Sequence, residues 1–304
     1  MTRREIIAGL KGIFPPVVTP FDRAGQVDEG VFCENLQRYT NIGLSGVVVA
    51  GSTGEAPYLT EGERLRLVGL ARDILRPPEL LIAGTGLEST DATLRLSREA
   101  IARGADALLV LPPNYYKSRM DSDTLAAHYR ALARGVSRPV IVYSIPQFTG
   151  LRMEVETIAR LSRLPNVAGL KESSGDVPFL RAVIRRARPG FRVLVGAVSI
   201  LLEALRSGAA GAVLGQATFA PELCVAAYEA FRRGRTREAR AFQQRLLILA
   251  QRISVPYGVP GIKAALEACG YAGGFPRAPL APLGARQRQA VAAAVREARA
   301  GLEF

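Results

Sequence analysis

The sequence predicts an α/β chain folded as a (β/α)8 TIM barrel with a C-terminal helical extension, and three observations predict it. Eight short runs rich in Val, Leu and Ile, at 13–18, 46–50, 80–83, 107–111, 140–143, 167–171, 192–195 and 212–214, show little polar alternation, as strands buried on both faces should. Seven amphipathic segments lie between them, near 29–42, 60–75, 89–103, 122–135, 153–163, 177–187 and 199–207, which is the alternation of a parallel sheet with crossover helices. Beyond Gly215 the strand-like runs stop, and 221–233, 236–253, 260–269 and 285–301 are helical and rich in Ala and Arg. A doubly wound open sheet is the competing arrangement, but no Gly-x-Gly-x-x-Gly fingerprint follows the first strand.

A chain of 304 residues accommodates one barrel and an extension. The division falls at 225/226, with 1–225 as the catalytic barrel and 226–304 as helices packed on it. Within the extension, the loop 255–261 (VPYGVPG) and the stretch 270–282 separate the helical segments.

The balance of 48% hydrophobic and 22% charged residues is that of a globular enzyme rather than a disordered chain. The opening MTRREIIAGLKGIF has too short an apolar run for a secretory signal, and no stretch approaches eighteen uninterrupted apolar residues. Cys33, Cys224 and Cys269 are odd in number, widely spaced and without a CxxC pair. They point away from a disulfide framework or structural zinc and toward a reducing cytoplasm.

The net charge of +13 raises the question of nucleic acid. The arginines are scattered, through 64–76, 181–188 and 232–245 among other segments, with no basic stripe interleaved with aromatics. Solvated helix faces are the simpler reading, and a basic barrel that binds a polyanion is the non-enzyme alternative. Of the forty Lys and Arg residues only four are lysine: Lys11, Lys117, Lys171 and Lys263. A guanidinium does not deprotonate and forms no imine, whereas a lysine amine can.

In a barrel of this kind the working groups sit at the C-terminal ends of strands and in the loops after them. After the second strand, Gly51-Ser52-Thr53-Gly54-Glu55 places two hydroxyls and exposed backbone N–H groups in a tight turn suited to a carboxylate. An ordinary glycine-rich connection would look the same. After the fourth strand, Pro112-Pro113-Asn114-Tyr115-Tyr116 offers two phenols on a stiff loop, for proton relay or for an interface. The fifth strand ends in Tyr143, with its ring in the barrel and its hydroxyl at the mouth. The sixth runs straight into Lys171, at the edge of a low-dielectric core. Desolvation there disfavours an ammonium and favours the neutral amine needed to attack a ketone. Taken singly, Lys171 could equally snorkel to solvent or pair with Glu172. His128 is the only histidine and falls in a helical segment, which excludes a His-based metal triad and argues against a Ser-His-Asp set.

Three of these segments, Gly51-Ser-Thr-Gly-Glu55, Tyr143-Ser-Ile-Pro-Gln-Phe-Thr-Gly150 and Gly169-Leu-Lys-Glu-Ser-Ser-Gly-Asp176, resemble in order and placement the signatures of the dihydrodipicolinate synthase/N-acetylneuraminate lyase superfamily. The resemblance runs from Gly12 to about Pro282. It implies a homotetrameric barrel, a dimer of dimers, that joins or splits pyruvate and an aldehyde through an imine, with no metal or organic cofactor. Lys171 would form the imine, Tyr143 would shuttle protons, and Ser52 with Tyr115 of a neighbouring subunit would complete a hydroxyl relay. Gly51, Thr53, Ser173, Phe148 and Gly196 are the expected substrate contacts.

Dihydrodipicolinate synthases carry an arginine for the aldehyde carboxylate where this chain has Phe148, which weakens that reading. The segments Leu87-Glu-Ser-Thr90, Tyr115-Tyr-Lys-Ser-Arg-Met120, Gly258-Val-Pro-Gly-Ile-Lys263 and Gly273-Gly-Phe-Pro-Arg-Ala-Pro-Leu280 are most similar to 4-hydroxy-2-oxoglutarate aldolases, which release pyruvate and glyoxylate. A sugar-acid lyase is the remaining alternative within the superfamily.

Overall fold

In the computed structural model, which describes residues 1–40 and 42–302, eight parallel strands form a ring. They are β1 (Gly12–Phe14), β2 (Gly46–Val49), β3 (Leu80–Gly84), β4 (Ala107–Val110), β5 (Val140–Ser144), β6 (Val167–Glu172), β7 (Arg192–Val195) and β8 (Gly211–Val213). Hydrogen bonding runs in the order β1-β8-β7-β6-β5-β4-β3-β2. The ring closes between β1 and β2 through the Pro16–Val48 bridge, where Val48 N donates to Pro15 O at 2.9 Å and Val17 N to Val48 O at 3.0 Å. β1 ends well before residue 18 because Pro15 and Pro16 have no N–H to give the ladder.

The helices are α1 (Arg3–Gly9), α2 (Glu29–Tyr39), α3 (Glu61–Ile74), α4 (Thr90–Ala102), α5 (Ser122–Gly135), α6 (Pro146–Thr149), α7 (Val155–Ser162), α8 (Val177–Arg186), α9 (Leu201–Arg206), α10 (Pro221–Arg232), α11 (Thr236–Leu249), α12 (Val255–Ala268) and α13 (Ala285–Arg299). Six of them begin on a side-chain cap: Thr2, Asp28, Thr60, Ser89, Asp121 and Asp176 each accept from the N–H three residues on. Such a cap contributes about 1 kcal/mol and sets where the chain turns from loop to helix.

The strands separate two apolar layers. Phe14, Val48, Leu80, Ile82, Leu109, Ile141, Leu194 and Val213 point into the barrel, while their strand neighbours pack outward against the helices. Ile6 and Leu10 join the inner cluster, and Arg192 at the start of β7 donates to Ile7 O, so α1 plugs the N-terminal end of the barrel. Nothing in the sequence marked that short helix as structural, because seven residues hold too little periodicity to read.

The extension differs from expectation at one place. Residues 255–261 are not a loop but the first half of α12, kinked at Gly258, whose φ of 54° and ψ of −137° are open to glycine. The turn before it, Ala250–Ser254, is π-helical, a widened turn of the sort that often marks a working site. α10 runs unbroken across residues 225 and 226. No helix among the described residues is long and apolar enough to cross a membrane.

His128 lies buried on α5, with Nδ1 2.9 Å from Thr90 Oγ1 and no partner on Nε2 among the described residues. Burial lowers it from 6.5 to about 4. The unfolded chain therefore takes up this proton first, and the fold loses stability as pH falls from about 6.5 toward 4. The full effect is on the order of 3 kcal/mol. Thermal melts of wild type and His128→Gln across this range are expected to diverge, the variant losing most of the acid slope between the two values.

Candidate active site

The position of Lys171 rests on a bulge. Val140 pairs with Val167 across β5 and β6, but Ile141 pairs with Gly169, so Ala168 is an extra residue on β6. With it, Tyr143 stands opposite Lys171, and both side chains face the barrel interior. Without it, Leu170 would stand opposite Tyr143 and Lys171 would face the outer helices, because strand side chains alternate. Gly169 makes the shift possible: a Cβ there would lie 2.3 Å from the Arg192 carbonyl oxygen.

Lys171 is 4% exposed, and its Nζ lies 4.0 Å from the centre of the Tyr143 ring. Glu172, next along the strand, points the other way. Its Oε1 accepts from Ser174 N at 2.7 Å, and burial raises its carboxyl above the ordinary range. The neighbouring carboxylate is thus engaged away from the Lys171 amine.

The Tyr143 hydroxyl stands 3.4 Å from Ser52 Oγ, longer than a settled O–H···O bond and short enough to tighten around a ligand. Ser52 and Thr53 lie in the turn after β2. That turn is closed by Glu55 N on Ser52 O at 3.1 Å and Ala56 N on Gly51 O at 3.2 Å.

A cavity of about 350 Å³ opens over Lys171. Ser52, Thr53, Tyr143, Phe148, Lys171, Ser173 and Gly196 all line it, so the fold brings together seven of the nine expected residues. Gly196 is a packing requirement as well, since a Cβ there would fall 1.9 Å from Ser173 Oγ. Gly51 faces an adjoining cavity of about 340 Å³, which shares Ser52 and Tyr143 as its wall and is also lined by Glu88 and Asn114.

Tyr115 does not reach this site within one chain. It is 76% exposed, edge-on to Tyr116 with ring centres 5.0 Å apart, on a loop that projects from the end of β4. Glu88 pins that loop, its Oε2 accepting from Asn114 N and from Tyr115 N, both at 2.9 Å.

Sequence reasoning missed part of the lining. Gln147, whose Nε2 donates to Ser173 O at 2.9 Å, precedes Phe148 on α6. Ser199 follows β7, and Gln216, donating to Ser254 Oγ at 2.9 Å, follows β8. The strand-end rule could have found these three. Gln251, Ser254, Val255 and Val259 come from the extension, where no strand end points to them. Among the described residues, Lys171 is the only charged side chain that lines the cavity.

Gly169→Ala is expected to destabilise the chain by roughly 1–3 kcal/mol through the clash with Arg192 O. It is also expected to abolish activity in the protein that remains folded. Denaturant melts and activity per folded molecule measure the two effects, and an active, stable variant would show that the bulge does not place Lys171.

The chain matches the model of the dihydrodipicolinate synthetase family over residues 9–298. It is 37% identical over 285 residues to an uncharacterized DapA-like lyase of Halobacterium salinarum, covering 94% of this chain and 93% of that protein. It is 35% identical over 260 residues to the 4-hydroxy-tetrahydrodipicolinate synthase of Syntrophus aciditrophicus, covering 86% and 88% of the two. Among solved structures it is similar to YagE of E. coli K12, a prophage protein of the dihydrodipicolinic acid synthase family in complex with pyruvate. The TM-score is 0.90 at 28% identity, over 95% of this chain and 98% of that one. The match runs nearly end to end in both sequence and fold, and this chain therefore belongs to the dihydrodipicolinate synthetase family of pyruvate-dependent lyases.

Proposed function

We propose that this chain is a class I aldolase in which Lys171 forms an imine with pyruvate. Its first reaction is the splitting or joining of 4-hydroxy-2-oxoglutarate, with glyoxylate as the aldehyde. The observation that carries the reading is the buried Lys171 amine set against Tyr143, whose hydroxyl meets Ser52 at the mouth of the barrel.

The chemistry follows from that placement. Lys171 Nζ adds to the ketone carbon, and the carbinolamine expels water after Tyr143 passes a proton to the departing oxygen. In cleavage, a base takes the proton of the 4-hydroxyl, and the electron pair of the breaking carbon–carbon bond moves into the protonated imine. Glyoxylate departs and leaves an enamine. Protonation of the enamine carbon and addition of water then release pyruvate and return the free amine.

Ser52 and Thr53, with their N–H groups, hold the pyruvate carboxylate. Ser52 passes protons between Tyr143 and the Tyr115 of a second copy, and the exposure of the Tyr115–Tyr116 pair supports its service across an interface. We assign a homotetramer, built as a dimer of dimers, on the ground of family membership. Neither a metal nor an organic cofactor enters the mechanism.

A second reading, condensation with aspartate semialdehyde, is supported by relatives named 4-hydroxy-tetrahydrodipicolinate synthase. Phe148 stands against it: it sits 73% exposed at the cavity rim and offers no cation to the aldehyde's carboxylate. In this cavity the distal carboxylate of 4-hydroxy-2-oxoglutarate must rest on neutral donors such as Gln147, Ser173, Ser199 and Gln251. A sugar-acid lyase would use the same donors for hydroxyl groups.

Pyruvate with borohydride is expected to reduce the imine and leave a permanent mass increase on Lys171, absent in Lys171→Ala. No adduct under conditions that label a known family member would refute the reading. Tyr143→Phe is expected to lower kcat by roughly 10²–10⁴ while leaving the chain folded. A panel of glyoxylate, aspartate semialdehyde, N-acetylmannosamine and glyceraldehyde, each with pyruvate, decides the aldehyde. Preference for aspartate semialdehyde would overturn the first reaction but not the imine.

A further inference from the structure

The turn that carries Ser52 and Thr53 is strained and anchored from far away. Ala50 and Glu55, which bracket it, have φ of 53° and 57°, left-handed values at non-glycine residues, and both are buried. Such a conformation is unfavourable for a residue with a Cβ and persists only where its surroundings hold it.

What holds it is a second buried lysine. Lys263 on α12 places Nζ 2.7 Å from Glu55 Oε1, with side-chain exposures of 2% and 1%. The same ammonium donates to Thr19 O at 2.7 Å and to Phe275 O at 2.6 Å, so two backbone carbonyls hold it beside the ion contact with Glu55. Thr19 passes the grip back to the turn, its hydroxyl donating to Gly54 O at 2.7 Å. Glu55 Oε2 meanwhile accepts from Arg277 N at 2.9 Å. The turn is therefore tied to Lys263 by two routes, through the Glu55 carboxylate and through Thr19. α12 also supplies Val255, Gly258 and Val259 to the catalytic cavity.

We propose that Lys263 and Glu55 are positioning residues for the pyruvate-carboxylate cradle: their ion pair fixes the N–H groups of Ser52 and Thr53 against the α12 wall, and neither touches substrate. The proposal rests on the reading that this turn receives the carboxylate. A buried ion pair contributes little net stability over an apolar replacement, so its direction-setting hydrogen bonds are the effect to test.

Burial holds the Lys263 ammonium below its ordinary value of 10.5, at about 8, against the opposing attraction of Glu55. The charged groups around it are Glu55 from the turn and Arg277, itself paired to Glu63 of α3 at 2.6 Å. Arg23, Glu267 and Arg288 line the neighbouring cavity. Above about pH 8 the pair loses its positive member, so carboxylate affinity is expected to weaken as pH rises through that value.

L-lactate carries the carboxylate without a carbonyl and reports on the cradle alone. In Lys263→Met and Glu55→Gln, KM for pyruvate and Ki for lactate are expected to rise at least about tenfold, with kcat changed less than about threefold. A lower melting temperature with both constants within about twofold of wild type would reduce the pair to a structural role and overturn the proposal. Should these variants fail to fold, lactate affinity is measured by calorimetry in Lys171→Ala, which removes the lysine that lines the cavity and leaves Lys263 in place. Weaker binding as pH rises through about 8 is expected, and a flat profile overturns the proposal. Failure of the underlying enzyme reading shows separately, as absence of the borohydride adduct in wild type.

Discussion

One extra residue in β6 decides whether this barrel has a site at all. Because side chains alternate along a strand, the shift at Ala168 determines which of Leu170 and Lys171 enters the interior beside Tyr143. The barrel tolerates the shift only because Gly169 lets the Arg192 carbonyl approach where a Cβ would collide. On the far side of β6 the pairing is regular again, with Lys171 opposite the inward-facing Leu194. The irregularity is confined to one seam and spent on one amine.

The cavity that results is built by three parts of the chain under different physical control. β5 and β6 supply a rigid floor, where Tyr143 and Lys171 are packed nearly out of solvent. The turn after β2 supplies hydroxyl and N–H groups on a backbone held in left-handed conformations. The extension supplies an amide and hydroxyl wall, with Gln251 and Ser254 presented by the π-helical turn ahead of α12. Lys263 and Glu55 join the second part to the third. The two buried lysines thus have different environments: Lys171 faces the cavity beside Tyr143, and Lys263 is held by the Glu55 carboxylate and two backbone carbonyls.

The arginines occupy a different tier. Arg66–Glu29, Arg95–Glu61, Arg181–Glu203 and Arg235–Glu238 are exposed pairs on helix surfaces, each contributing at most about 1 kcal/mol. Arg277 stands apart, four-fifths buried on the Phe21 ring with its centre 4.2 Å away, bound to Glu63 and to the carbonyls of Gly25 and Tyr58. It clamps the segment that passes beneath Lys263.

Much of this was legible in the residues alone. All eight strands were, because a strand buried on both faces is apolar throughout and is bounded by helices whose caps are local. Ser52, Tyr143 and Lys171 were legible too, since the end of a strand is a position that one dimension can mark. The placement of Tyr115 was not, because exposure depends on where a loop projects. Nor were Gln251, Ser254 and the Glu55–Lys263 pair, which join residues some two hundred positions apart. The sequence by itself determined the order of strands and helices and the chemistry available at their ends, because periodicity, capping and residue type act over a few neighbours. Only the tertiary structure decided which face Lys171 takes and what walls surround it, because a one-residue bulge and long-range packing leave no local signature.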